Sequence, residues 1–426
     1  MRYKTEIFDN LLLMSEETKY IDHQLHFVIQ FDGKLNASVM RKAFSLLLKV
    51  VPILACRYNH ACGNDYWEAI PYIRPDDVLS ITDNEAGFKF FVISKIDEKT
   101  GPQISACLYR ADCDTLAVTM NHMICDASGF KQCLYLLADL YSNLTQNPDY
   151  SPGIVIDGDR GIRCVFAKIS FWNKVKFLLQ TKGNKRNNEI IFPTSADGNI
   201  APFILAHTIL PERYAMIHDY CKRNHVTVND VLLTAYYRAL SKMLDAGDDL
   251  NISIMVDMRK YLNGSGFTSL SNLTSTVKTH IAVDPSESFE DTLTKIHLEM
   301  DRKKENQIGM CEFVKTSTVF DLLPDRLCYR LVKNNPNNPN IAMTNIGILE
   351  SDKLDFNGAA VESAFMTGSI KYRPHFQIAV SSFKNEMTFS INLYGSKQDQ
   401  DRVLGFYKLL DNELPGHGCF VSAVYA

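Results

Sequence analysis

Apolar residues along this chain alternate between two spacings, every second position and roughly every 3.6, and the switches between them mark the expected elements. Residues 24 to 31, QLHFVIQF, have the dense apolar character of a strand. Gly33 to Asn36 supply a turn, and Val39, Ala43, Phe44, Leu47 and Val51 then recur at helical spacing until Pro52 stops the helix. Further strand-like runs lie at 88–93, 103–109 and 115–122. In the last of these, Leu116, Val118, Met120 and His122 share one face, with Ala117, Thr119 and Asn121 on the other. After Gly129, Phe130, Leu134, Leu137, Tyr141 and Leu144 form a helical stripe. Residues 120 to 130, MNHMICDASGF, are therefore expected to run from a strand through a tight loop into a helix.

Residues 147 to 161 are rich in proline, glycine and aspartate and predict a linker. The theme then restarts. FILAHTIL reads as a strand, Pro211 opens a helix to about Arg223, and TVNDVLLTAYYRALSKML is a long helix with Thr227 as its cap. NISIMVDMRKYL is a strand leaving through Arg259, and TSTVKTHIAV is another. A charged amphipathic helix at 286–306, strands near 341–346, 376–383 and 386–393, and a helix at 398–412 complete the pattern. Strands alternate with helices in both halves, which predicts two α/β units.

Composition narrows the class. At 426 residues and 46% hydrophobic, the chain has enough apolar material for more than one core. The net charge of −4 gives no electrostatic footprint for nucleic acid. No apolar run approaches the roughly 18 to 20 residues of a membrane span. The eleven cysteines form no CxxC pair, so neither a structural zinc site nor a disulfide scaffold is expected, and the start Met1-Arg2-Tyr3-Lys4 carries no signal sequence. A cytoplasmic protein with reduced thiols is the expectation. One segment breaks the charge balance: Arg160 to Arg186 holds eight Lys or Arg and no acidic residue. Its amphipathic part, VFAKISFWNKVKFLLQTKGNK, reads either as a surface helix packed on its own domain or as a contact for a membrane surface or an acidic partner.

The chemistry centres on HxxxD, which occurs three times: His122 with Asp126, His280 with Asp284, and His297 with Asp301. His297 and Asp301 fall one turn apart on a helix, a weak surface pair, and Asp284-Pro285 reads as a turn. His122 differs because it ends a strand and is followed by Ala127, Ser128 and Gly129, which allow the backbone a sharp turn and a close approach. Spacing alone leaves two readings open: a catalytic base, or a core histidine beside a helix-capping aspartate. His23 and His26 fall on opposite faces of a strand, a poor geometry for a shared metal.

NHMICDASGF resembles the HHxxxDG motif of the chloramphenicol acetyltransferase-like superfamily, which includes condensation domains, polyketide-associated acyltransferases, wax ester synthases and alcohol acyltransferases. Other segments resemble that superfamily in the same order. FVIQFDGKLNASVMRKAFSLLLKVVPILACRY is similar to its opening strand and helix, YCKRNHVTVNDVLLTAYYRAL to the helix pair opening its second half, MVDMRKYL to its V-D-x-R segment, and AMTNIGIL to its late S-N-x-G strand. Asn121 stands where many members have the first histidine, and Ala127 where condensation domains prefer glycine.

The resemblance implies an α/β (α+β, two-layer) fold of two similar lobes, each a mixed sheet flanked by helices, with a tunnel between them. The lobes would span 1–160 and 201–426, with 161–200 as a basic amphipathic linker. It implies an acyltransferase moving an acyl group from a thioester to a hydroxyl or amine, with His122 as general base and no acyl-enzyme, so that Cys125 is a buried side chain and not a nucleophile. Asp126 would be structural and paired with Arg259, Gly129 would support the turn, and Asn272 or Asn345 could donate to the oxyanion. Lys182, Lys185 and Arg186 could meet the donor, acyl-CoA or a phosphopantetheine-linked acyl group on a carrier protein. No metal or resident cofactor is expected, and the protein is expected to act as a monomer on a small acceptor. Two alternatives stay open: a free-standing condensation domain for carrier-bound substrates, and a silent member that binds acyl groups or carriers without catalysis.

Overall fold

The computed structural model describes residues 1–60, 65–179, 190–195, 198–244, 250–262, 266–284, 286–324, 327, 328, 330, 338–416, 418 and 420–426. The first half contains β1 (Arg2–Lys4), α1 (Ile7–Glu17), β2 (Gln24–Phe31), α2 (Ala37–Val50), β3 (Cys56–Asn59), β4 (Tyr66–Ala69), β5 (Leu79–Thr82), α3 (Glu85–Val92), β6 (Ile104–Arg110), β7 (Asp114–Asn121) and α4 (Ala127–Gln146). A short helix, α5 (Phe171–Leu179), precedes the second half. There follow β8 (Ala201–Ile209), α6 (Pro211–Asn224), α7 (Val228–Leu244), β9 (Asn251–Asp257), β10 (Thr274–His280), α8 (Phe289–Glu305), α9 (Met310–Leu322), β11 (Ile341–Leu349), β12 (Val361–Thr367), β13 (Phe376–Phe383), β14 (Glu386–Gly395), α10 (Lys397–Glu413) and β15 (Phe420–Tyr425).

Two sheets carry the architecture. The first has the order β12-β2-β7-β6-β5 and the second β10-β9-β11-β13-β14-β8-β15. Each buries an apolar face under helices: Phe27, Ile29, Leu116, Val118 and Met120 meet Phe44, Phe130 and Leu134 in one core, and Leu205, Ile378, Phe389 and Ile391 meet Tyr236, Leu240 and Phe406 in the other. The opposite faces look toward the seam between the lobes and combine a smaller apolar cluster, including Val28, Cys107, Ala117 and Ile204, with polar side chains. There Thr367 of β12 accepts from Ser390 Oγ (2.7 Å) and Asn392 Nδ2 (2.8 Å) of β14, and Ser381 Oγ accepts from the Met366 N–H (3.1 Å). The lobes are thus joined by hydrogen bonds as well as by that smaller cluster.

Two expectations are corrected. Residues 88–93 are not a strand: Asn84 caps a helix by accepting the Gly87 N–H (3.2 Å), and Phe88 and Val92, one turn apart, are buried while Phe90 is 69% exposed. An alternating strand would have buried Phe88 and Phe90 together. Nor does 201–426 form one lobe. β12 crosses back to pair antiparallel with β2, from Val361 opposite Phe31 to Thr367 opposite His26, so the second half completes the sheet of the first.

Candidate active site

β7 ends at Asn121, and a five-residue loop carries the chain to α4, whose N-cap is Asp126. Asn121 shapes the turn by accepting the Met123 N–H (2.9 Å) while donating to Gln103 Oε1 (2.6 Å), so a buried asparagine fixes the entry to the loop. The His122 N–H donates to the His23 carbonyl (2.8 Å). His23 itself adopts a left-handed backbone, φ 44°, at the lead-in to β2. At the other end Gly129 permits the close return: a Cβ there would lie 2.8 Å from Cys125 Cβ. Cys125 is fully buried, and burial pushes its thiol well above the ordinary range, which removes it as a nucleophile.

The His122 ring is half-buried, and its Nδ1 lies 2.8 Å from the Cys125 carbonyl. A carbonyl only accepts, so Nδ1 carries the hydrogen and Nε2 keeps its lone pair. Nε2 has no partner among the described residues and is not sealed from solvent. Burial pulls the imidazole below its ordinary 6.5, opposed by its backbone contact and by Asp126, so the ring is neutral at neutral pH. Neutral, oriented and with one open nitrogen, it can accept a proton.

Asp126 does not touch that ring. Its Oδ1 accepts the Gly129 N–H (3.0 Å), and its Oδ2 accepts from Arg259 (2.8 Å), the Leu273 N–H (2.7 Å) and Thr274 Oγ1 (3.1 Å). Burial raises the carboxyl, but the guanidinium and the backbone donors outweigh it and hold it below the usual range. Arg259 also donates to the Ser271 carbonyl (2.9 Å) and stands 3.3 Å from Asp257, whose other oxygen accepts from Ser128 (2.6 Å). A buried carboxylate on the first lobe is therefore locked to a cation on the second.

Residues 268–274 act as a bracket along the loop. Asn272 Nδ2 donates to the His122 carbonyl (2.9 Å) and the Met123 carbonyl (3.0 Å). Its donor nitrogen is spent on the loop backbone, so the oxyanion role considered for it has no free N–H. Asn345 is likewise engaged, donating to Asn229 (2.6 Å) and accepting the Gly347 N–H (2.8 Å) at a bulge in β11. Lys182, Lys185 and Arg186 lie outside the described residues.

A further pair holding the loop was not anticipated from the sequence. Arg160 makes two bonds to Asp9 (2.8 and 3.0 Å), one to the Ile124 carbonyl (3.2 Å) and one to the Leu270 carbonyl (2.9 Å), with Trp67 donating to the same aspartate (2.7 Å). Its only sequence signal is its place at the start of the acid-free basic run, since its partner lies 151 positions away.

Among the described residues one cluster has metal-ligand residue types: Glu16, His23 and Glu98. His23 Nδ1 lies 2.6 Å from Glu16 and Nε2 3.5 Å from Glu98, with Lys95 also on Glu16. Burial lowers the His23 imidazole, but the two carboxylates raise it further, above 6.5. An imidazolium with a carboxylate on each nitrogen accounts for the arrangement without an ion. A cavity of about 330 Å³ opens between the sheets beside Gln30, Thr115, Phe365 and Tyr425. Gln30 pairs with Thr115 at the far end of the strands, six residues from the Gln24 and Asn121 pair, roughly 20 Å from His122.

Comparison with known proteins agrees with this architecture. Polyketide synthase associated protein 5 from Mycobacterium tuberculosis superposes with a TM-score of 0.68 at 13% identity, covering 96% of each chain. The first condensation domain of the calcium-dependent antibiotic synthetase, in complex with a substrate analogue, gives 0.70 at 15% identity, over 97% of this chain and 96% of that one. Trichothecene 15-O-acetyltransferase from Fusarium sporotrichioides gives 0.69 at 12% identity, over 96% and 95%. No curated protein sequence matches significantly. The chain therefore has the fold shared by these acyltransferase and condensation-domain structures. Residues 270–401 match the family model of the WS/DGAT C-terminal domain.

Proposed function

We propose that the protein transfers an acyl group from a thioester, on coenzyme A or a carrier protein, to a hydroxyl or amine acceptor, with His122 as general base. The observation that carries this is the His122 ring itself: Nδ1 fixed on a backbone carbonyl, Nε2 open, and the loop beneath it held by Arg259 and Asn272 of the second half and by Arg160. A binding protein without catalysis has no need of an oriented, unpaired imidazole nitrogen.

In the reaction, Nε2 takes the acceptor proton as the acceptor oxygen or nitrogen attacks the thioester carbonyl. The tetrahedral intermediate collapses, the C–S bond breaks, and the departing sulfur takes the proton back from the imidazolium to leave as the free thiol, restoring neutral His122. General base catalysis of this kind contributes about 10²- to 10⁴-fold. No enzyme side chain is acylated, consistent with the sealed Cys125.

The test is thiol release from acyl-CoA donors, acetyl to palmitoyl, against a panel of alcohols and amines, run in parallel with the same acyl groups on a carrier protein. Turnover with free acyl-CoA that His122→Ala abolishes supports the proposal. Turnover with carrier-bound donors alone makes the protein a free-standing condensation enzyme. Absence of turnover with both donor types, with ligand binding retained, leaves it a silent binder.

A further inference from the structure

We propose that Lys371 is a second catalytic residue, its ammonium facing the reacting carbonyl across the seam from His122 and taking the charge of the tetrahedral oxyanion. This rests on the acyl transfer proposed above and answers what it leaves open, since Asn272 has both amide N–H groups engaged on the loop backbone and Asn345 has one tied to Asn229.

Lys371 is 6% exposed, with Nζ not fully sealed from solvent, yet among the described residues no carboxylate comes within ion-pair distance and no acceptor takes a hydrogen bond from Nζ. Its nearest companion is the Tyr20 ring, 4.5 Å from Nζ. Lysine is almost never buried without a partner, because desolvating the charge is uncompensated. Such a group is retained where a charge is needed.

Its position is central. Residues 368–375 link β12 in the first sheet to β13 in the second, and Lys371 is bridged to Ile21 on one side and Leu393 on the other. Its N–H donates to the Asn392 carbonyl (3.0 Å), and its carbonyl accepts from the Tyr394 N–H (2.9 Å). The stretch it borders, Ile21 to His23, is the same one whose last carbonyl holds the His122 N–H. Lys371 and His122 therefore flank one short segment from opposite sides.

Between them lies Asp22, fully buried. Its Oδ1 accepts from the Gln24 N–H (3.2 Å) and the Ile370 N–H (2.9 Å), and its Oδ2 has no partner. The charged and titratable groups acting on Lys371 and His122 here are Asp22, Asp126 and His375, with Tyr20 packed against the ammonium. Burial draws the ammonium down to about 7, partly offset by Asp22, and the Lys371 charge in turn helps keep His122 neutral.

Chemically, the carbonyl oxygen gains the electron pair when the acceptor attacks, Lys371 donates a hydrogen bond to it, and the pair returns as the thiol departs. Lys371 keeps its proton throughout. The rate then needs neutral His122 and protonated Lys371, so activity falls above pH about 7.

The experiment compares wild type, His122→Ala, Lys371→Met and Lys371→Arg in the thiol-release assay with the best acyl-CoA and acceptor pair, across pH 5 to 10, with thermal melts of each. Lys371→Met is expected to lower kcat roughly 10²- to 10³-fold with KM nearly unchanged. Lys371→Arg is expected to restore part of the rate and remove the alkaline limb, since guanidinium stays charged. A Lys371→Met enzyme with wild-type kcat, or one that raises KM alone, overturns the proposal. If Lys371→Met does not fold, a folded Lys371→Arg enzyme that keeps an alkaline limb near 7 overturns it equally. Turnover that survives His122→Ala refutes the acyl-transfer mechanism itself, whereas turnover lost in His122→Ala and intact in Lys371→Met refutes only the role of Lys371.

Discussion

His122 with Asp126 and His297 with Asp301 share one spacing and arrive at opposite chemistries. On α8 both imidazole nitrogens of His297 are taken by carboxylates, Nδ1 by the buried Asp230 at 3.0 Å and Nε2 by the exposed Asp301 at 3.3 Å. At the end of β7 the aspartate turns away from the ring to Arg259, and the ring is held by a backbone carbonyl with its second nitrogen free. A carboxylate that bonds a histidine occupies its ring nitrogens, whereas one that holds only the loop leaves a nitrogen open and usable. The motif is thus defined by where the aspartate points, which depends on an arginine 133 positions away.

The largest expected effect is on turnover. His122→Ala should lower kcat for thiol release about 10²- to 10⁴-fold, and His297→Ala should leave it within about twofold. Equal losses would erase the distinction. Next is stability: Arg259→Met strands a buried carboxylate and should cost about 3 kcal/mol in urea melts, while Asp301→Ala should leave the urea midpoint unchanged. Gly129→Ala should cost about 1 to 3 kcal/mol by forcing a methyl against Cys125.

A subtler separation comes from pH. The Asp126 carboxyl is lowered on folding, so its stabilisation is present above the unfolded carboxylate value, about 4, and is lost as pH falls through the folded one. Acid melts should show that loss in wild type and a flatter curve in Arg259→Met. His23 is the reverse case. Its imidazole is raised, so its contribution is complete below about 6.5 and fades as pH rises through the folded value, and His23→Gln should flatten the alkaline side. Smallest of all, Cys125→Ala should keep kcat within about threefold, since the sulfur never meets substrate.

How much of this the sequence showed depended on whether the signal was local. The strand, loop and helix around His122 were legible because alternation, small residues and a helical stripe follow one another within thirty residues. Thr227 was legible as a cap, and its Oγ1 accepts the Asp230 N–H (3.2 Å). The Arg259 contact could be named only from resemblance, because nothing local ties residue 259 to residue 126. The Arg160 and Asp9 pair carried no such pattern and was missed. Residues 88–93 misled because a run of aromatic residues has strand propensity, and only the Asn84 cap and the exposure of Phe90 distinguish the helix. The crossing of β12 was hidden with the strand itself: residues 361–367 were not read as a strand, and alternation would not have said which sheet receives it. Lys371 was overlooked because a lysine in a short connection reads as surface, and burial is a property of the assembled seam.

The most direct measurement is the ring state of His122 in the folded protein, read by ¹⁵N-edited NMR of histidine-labelled protein against His122→Gln for assignment. The structure predicts a neutral ring at pH 7 protonated on Nδ1, with Nε2 bare and a midpoint below 6.5. A proton on Nε2, or an imidazolium persisting at neutral pH, would contradict it.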